Sequence, residues 1–180
     1  MVRTLVLGGA RSGKSAHAEG LVDGDAAVTY VATARRVEGD REWDERIAAH
    51  VARRPDHWRT AEAPDTESLC RVLAEAPAGS SVLVDDLATW LTGVLDDAGA
   101  WDRDAAAMEV VAGRCAELVD AVTGCAGRLV VVSAEVGLGV VPATRSGRLF
   151  RDELGALNAR LAEVCDEVVL LVAGLPLRLR

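Results

Sequence analysis

The residues Gly8-Gly9-Ala10-Arg11-Ser12-Gly13-Lys14-Ser15 match G-x-x-x-x-G-K-[ST] in full. Each residue type suits the handling of a nucleoside triphosphate. Glycines let successive backbone N–H groups converge on phosphate oxygens. The start of a helix adds a field that favours anions. Lys14 sets a compact positive charge between the β- and γ-phosphates, and the Ser15 hydroxyl offers a ligand to Mg²⁺. Lys14 is also the only lysine in the chain; every other basic side chain is arginine.

Two further sets of residues could join that chemistry. Val82-Leu83-Val84-Asp85-Asp86 is a buried-strand pattern ending in carboxylates. Asp85 is the candidate on the Mg²⁺ side, held through water, and Asp86 is the alternative. Asp86 also fits the cap of a following helix. His50 has Arg46 and Arg54 four residues to either side and Arg53 three residues on. On a helix these side chains share a face. The guanidiniums would disfavour imidazole protonation and would bind a polyphosphate. A neutral imidazole facing an Arg-bound phosphate could form a phosphoramidate. A half-buried structural imidazole beside the Trp43/Ile47/Val51 stripe fits the same spacing, and by physics alone it is the better fit.

The elements that must position these groups alternate between strand and helix. Apolar runs at Val2–Leu7, Val28–Ala32, Ser81–Val84, Leu129–Ser133 and Glu167–Val172 predict buried strands. Helical spacing covers Ser15–Val22, Asp40–Arg53, Thr66–Ala76, a segment through Trp90 and Leu95, Asp104–Val122 and Arg145–Val164. This order predicts one α/β domain over residues 1–180, with a mostly parallel sheet covered on both faces. Ala173-Gly174 joins the last strand to Leu175–Leu179 too tightly for a crossover, so that closing strand should run antiparallel. The stretch from Ala34 to Pro64 is the least regular and reads as an excursion toward a ligand.

Composition narrows the function classes. The 180 residues carry a net charge of −8. So acidic a chain lacks the cationic face that nucleic acid or an anionic membrane surface requires. No apolar stretch reaches the length of a membrane span. Cys70, Cys115, Cys125 and Cys165 have neither C-x-x-C spacing nor a neighbouring His, so they read as reduced thiols of a cytoplasmic protein.

Several segments together carry a more specific signal. They are the phosphate-loop motif with its Ala-Arg interior, Tyr30-Val31-Ala32-Thr33-Ala34, and Arg46-Ile47 followed by His50. Arg54-Pro55 and Trp58-Arg59-Thr60-Ala61-Glu62 continue the series. Glu135-Val136-Gly137-Leu138-Gly139-Val140-Val141-Pro142 is the most distinctive. Arg148, Phe150-Arg151-Asp152, Gly155, Asn158, Leu161-Ala162 and Asp166-Glu167-Val168 through Ala173-Gly174 complete it. Along nearly its whole length the chain resembles the bifunctional adenosylcobinamide kinase / adenosylcobinamide-phosphate guanylyltransferase family of cobalamin biosynthesis.

That resemblance implies a P-loop, RecA-like core and a homotrimer with active sites near subunit contacts. It implies ATP or GTP as phosphoryl donor to the aminopropanol hydroxyl of a corrinoid, then GMP transfer from GTP through a GMP–histidine intermediate at His50. It further implies nucleotide contacts from Thr33, Ala34, Arg35, Val51, Ala52, Arg53, Arg54, Glu62 and Asp85. Glu135 is a further candidate for the kinase step, as base or as substrate-positioning carboxylate; a carboxylate that pins the Gly137/Gly139 loop is the alternative. Arg145, Arg148 and Arg151 fit either a substrate phosphate or a solvated helix face. The chain departs from the family pattern at Asp86, Ala88 and Gly93, where Cys, Thr and Asn are usual, and at Ala134, where Asn is usual.

Overall fold

A computed structural model describes residues 1–22, 24–25, 27–35 and 55–180. The expected helix Asp40–Arg53, and His50 with it, lies outside the described residues.

The chain alternates strands and helices in the order β1 (Arg3–Gly8), α1 (Lys14–Val22), β2 (Val28–Ala32), β3 (Arg59–Glu62), α2 (Thr66–Ala74) and β4 (Ser81–Asp85). It continues with α3 (Leu87–Ala98), a 3₁₀ turn (Ala100–Asp102), α4 (Ala105–Gly124), β5 (Arg128–Ala134), α5 (Arg145–Val164), β6 (Glu167–Val172) and β7 (Leu175–Arg178). The seven strands form one sheet in the order β3-β2-β4-β5-β1-β6-β7. Every pair is parallel except β6 with β7, where Val172 faces Leu175 and Leu170 faces Leu177. The antiparallel closing strand is therefore as expected.

Alternation along the strands builds two cores. Leu5, Leu7, Val82, Val84, Leu129 and Val131 face α2 to α5 and pack with Leu69, Trp90, Leu118 and Leu157. Their neighbours Val6, Leu83, Val130 and Val132 face the other way, onto Ala18 and Val22 of α1 and onto Tyr30 and Trp58. Successive strand side chains point to opposite faces, so runs apolar at every position are buried on both sides. Truncating one of these fully buried leucines to alanine costs about 2–5 kcal/mol. Three of the four thiols are buried and all four are free. Burial pushes Cys115 and Cys165 up to about 11, which leaves them as inert thiols.

β3 was not expected as a strand. Its residues Arg-Thr-Ala-Glu are mostly exposed and form the edge of the sheet, paired in parallel with β2 from Thr29↔Arg59 to Ala32↔Glu62. An edge strand of polar residues lacks the apolar run that marks a buried one.

Four helix starts are closed by side-chain oxygens. Asp65 accepts from Ser68 N in a reciprocal capping box, Asp86 accepts from Thr89 N, Asp104 from Ala106 N and Ala107 N, and Thr144 from Gly147 N. The residue before α1 is Gly13, which has no side chain to do this. The first N–H groups of α1 are thereby left to a ligand.

Candidate active site

Ligands of open parallel sheets bind beyond the carboxyl ends of the strands. At that edge β1 ends in Gly8 and hands over to the phosphate loop. Arg11 (φ 55°) and Gly13 (φ 90°) both occupy the left-handed region, which turns the loop's N–H groups inward. A Cβ at Gly8 would collide with Ser12 Oγ and crowd Leu171 O, so a larger residue there would have to displace the Ser12 side chain. Ser12 Oγ is buried and has no hydrogen-bond partner among the described residues. A buried hydroxyl with its hydrogen-bonding capacity unspent fits a loop that takes an anion. The β6–β7 turn supports the loop from outside: Gly174 N donates to Ser12 O at 3.0 Å, with Ala173 and Gly174 both at positive φ.

Lys14 curls back over the loop, its Nζ donating to Gly9 O at 3.4 Å. Among the described residues it makes no ion pair. Ser15 Oγ donates to Asp85 Oδ1 at 3.2 Å, and Tyr30 OH donates to Asp85 Oδ2 at 3.0 Å. The sheet order explains the pairing, since β4 lies one strand away from β1 across β5. A hydroxyl and a carboxylate brought together in this way form an oxygen donor set suited to Mg²⁺. Asp86 is accounted for separately. It caps α3 through Thr89 N at 2.8 Å, and its carbonyl accepts from the buried Thr33 Oγ1 at 2.7 Å. Of the two sequence candidates, Asp85 is the one at the loop.

Thr33, Ala34 and Arg35 continue from β2 at the same edge. Arg35 donates from both terminal nitrogens to Asp97 of α3, at 2.7 and 2.5 Å, and from Nε to Pro64 O at 3.3 Å. The hydrogen bond from Arg35 holds Asp97 below the usual carboxylate range, and Asp97 raises Arg35 in turn. The guanidinium lies against Gly93, where a Cβ would sit 3.1 Å from Arg35 Nε. A side chain at this position would press on the guanidinium, which gives a physical reason for glycine here. Asp97 was not anticipated from the sequence; its only signal was a pair of exposed acids late in a helix.

Glu135 follows β5. Its N–H donates to Gly8 O at 3.1 Å, and its Oε1 accepts from Gly137 N at 2.6 Å. It therefore pins its own loop beside the end of β1 through Oε1. Asn158 of α5 steadies this corner: it accepts from Ser133 Oγ at 2.6 Å and donates to Ala134 O at 3.0 Å. Arg148 donates to Pro142 O and Ala143 O, Arg145 to Asp102 O, and Arg151 to Asp152. Arg145 and Arg148 brace the start of α5, whereas Arg151 pairs with its neighbour on the same helix. Glu62 ends β3, next to Ala32 of β2. His50, Val51, Ala52, Arg53 and Arg54 lie outside the described residues.

Comparison with solved structures agrees with the strand order. The chain superposes on a prototypical ATPase from the type III secretion system of pathogenic bacteria with a TM-score of 0.54 at 12% identity, over 94% of this chain and 50% of that one. The assembled ATPase EscN from the enteropathogenic E. coli type III secretion system gives 0.51 at 13% identity, over 96% and 43%. At such identities the likeness shows the fold, that of a P-loop NTPase. Sequence relatives are closer. Bifunctional adenosylcobalamin biosynthesis protein CobP of Pseudomonas aeruginosa is 44% identical over 99% of this chain and 98% of its own. The proteins named CobU of Salmonella typhimurium and Escherichia coli are 39% and 37% identical, each over 98% of both chains. The family model described as cobinamide kinase / cobinamide phosphate guanyltransferase matches residues 4–179. With a phosphate loop completed by Ser15 and Asp85 and a match from one end to the other, the chain belongs to the cobinamide kinase / cobinamide phosphate guanyltransferase family.

Proposed function

We propose that the chain phosphorylates adenosylcobinamide and then guanylylates the product, with both reactions centred on the carboxyl edge of the sheet. The observation that carries the reading is the assembled phosphate loop, with Lys14 over its mouth and Ser15 on Asp85, in a chain matched by the family from residue 4 to 179.

In the first reaction the aminopropanol hydroxyl oxygen attacks the γ-phosphorus of ATP or GTP, and the nucleoside diphosphate leaves. The N–H groups of Gly8 to Ser15 and the Lys14 ammonium hold the β- and γ-phosphates in line and offset the charge that grows on their oxygens. Ser15 and Asp85 would hold Mg²⁺, which when bound neutralises phosphate charge. Glu135 receives or orients the hydroxyl proton through Oε2 while Oε1 keeps the loop pinned. In the second reaction His50 attacks the α-phosphorus of GTP, pyrophosphate leaves, and GMP is carried on the imidazole. An oxygen of the new corrinoid phosphate then attacks the same phosphorus and frees His50, giving adenosyl-GDP-cobinamide. Thr33, Ala34, Arg35, Glu62 and the 51–54 stretch contribute nucleotide contacts. The resemblance supports a homotrimer of single-domain subunits, and the free thiols fit the cytoplasm.

The test is protein labelling with GTP carrying its label at the α- or the γ-phosphate, on wild type and on His50→Ala. Acid-labile, base-stable label from the α position only, lost in His50→Ala, is the expected result. Absence of any adduct in a protein that still phosphorylates cobinamide would leave a kinase without the second activity. Absence of both reactions would end the reading.

A further inference from the structure

The phosphate loop accounts for the nucleotide. Nothing in it recognises a broad macrocycle, so the acceptor needs a surface of its own. We propose that the cleft between α3, the 3₁₀ turn and the first turn of α5 binds one edge of the corrinoid acceptor. This inference rests on the corrinoid reading above and deepens it by naming the subsite.

The cleft has a volume of about 530 Å³ and is lined by Thr92, Trp101, Thr144, Ser146, Gly147 and Phe150. Two aromatic rings and three hydroxyls make up most of that surface. Among the described residues the lining carries no charged side chain. A second triphosphate would call for cations there, and none line it. A tetrapyrrole-derived ring fringed with neutral amides presents an apolar face and a hydrogen-bonding rim, which is the complement of this lining. The cleft is open and smaller than a corrinoid, so it takes an edge of the ring and leaves the rest in solvent.

Its walls are held in place before any ligand arrives. Trp101 Nε1 donates to Asp96 Oδ1 at 2.6 Å, which fixes the indole as a platform. Arg145 donates to Asp102 O at 2.7 Å and Arg103 pairs with Asp152 at 3.2 Å, tying the 3₁₀ turn to α5. Thr144 caps α5 through Gly147 N, and Thr92 donates to Ala88 O within α3. Both walls of the cleft continue along the chain to the catalytic edge. α3 starts at Asp86, next to Asp85, and presents Gly93 to Arg35 beside Thr92. α5 follows the loop that begins at Glu135, which is bonded to Gly8. A preformed platform lowers the ordering cost of binding a large ligand.

The test uses Ser146→Tyr, which fills the cleft from an exposed helix position, and Trp101→Leu, which removes the platform. Cobinamide affinity is read by equilibrium dialysis, GTP affinity by the same method, folding by thermal melting, and assembly by sedimentation. The expected result is at least tenfold weaker cobinamide binding in both variants with GTP affinity within twofold of wild type. Folded variants that bind cobinamide like a wild type that phosphorylates it would overturn the subsite and leave the activity standing. Altered sedimentation with unchanged cobinamide affinity would give the cleft to a second copy of the chain, and would also overturn the proposal. A wild type that neither binds nor phosphorylates cobinamide would bring down the corrinoid reading and this subsite together.

Discussion

Two of the cations at the carboxyl edge of the sheet, Lys14 and Arg35, are treated differently. Lys14 rests on a backbone carbonyl at 3.4 Å. Arg35 is held by both oxygens of Asp97 and by Pro64 O. A carbonyl dipole is a weak competitor for an ammonium, so an arriving phosphate takes Lys14 at little cost. A phosphate that wants Arg35 must first displace a carboxylate that matches its planar fork. Lys14 is presented, whereas Arg35, just past β2, is latched. A charge near a site is thus a measure of function only once its existing partner is known.

The largest effect should come from the presented cation. Lys14→Ala removes the charge over the β- and γ-phosphates, and kcat/KM for cobinamide phosphorylation should fall roughly 10²- to 10³-fold, the scale seen for single groups that stabilise transition-state charge. Steady-state kinetics at saturating GTP checks it, and turnover within tenfold of wild type would remove Lys14 from the catalytic centre. Asp85→Asn comes next. Asp85 joins Ser15 to Tyr30, and its substitution should lower the rate about 10- to 100-fold, as for outer ligands of a metal site. The loss should be partly recovered by raising Mg²⁺. A loss insensitive to Mg²⁺ would instead give Asp85 a role in holding the loop.

The same contrast separates what was legible in the sequence from what was not. The phosphate loop is local: its glycines, lysine and serine must be contiguous to work, so a linear motif carries all of it. Asp85 was legible because a buried apolar strand ending in acid is also a local pattern. The partner of Arg35 is not local. Asp97 lies in a different element, on an exposed helix turn that looks like any solvated acid. β3 was missed for a related reason: Arg59 to Glu62 gain their strand from pairing with β2, and not from their own hydrophobicity. Tyr30 shows a third case. Its alternation marks it as a core residue, and it is buried, yet its hydroxyl reaches Asp85.

Breaking the latch sharpens the comparison at a smaller scale. In Asp97→Asn the amide no longer competes as an anion, so GTP should bind about two- to fivefold more tightly, in keeping with a surface pair worth up to about 1 kcal/mol. Gly93→Asn should act on the same unit from below, because its Cβ would sit 3.1 Å from Arg35 Nε, inside ordinary contact distance, and push the guanidinium aside. If Asp97→Asn weakened GTP binding instead, the carboxylate would be a positioner of Arg35 and the contrast with Lys14 would dissolve.

The smallest effect concerns pH and has a definite sign. Asp97 is held below its ordinary value of 3.8, first by the Arg35 hydrogen bond. A carboxylate whose folded pKa is depressed stabilises the fold above its unfolded pKa and loses that contribution as pH falls through the folded one. The latch is therefore fully closed from neutrality down to about pH 5. It opens only below the ordinary carboxylate range, where protonated Asp97 releases Arg35. Because Asp97 is largely exposed, solvent screening limits the contribution to well under about 1 kcal/mol. Asp65, lowered first by its Ser68 backbone bond, follows the same course at the start of α2. Thermal melts of wild type and Asp97→Asn should run in parallel between pH 5 and 8 and converge only in strong acid. Convergence near neutrality would show that Asp97 already carries a proton there, and the fork on Arg35 would then not be an ion pair at all.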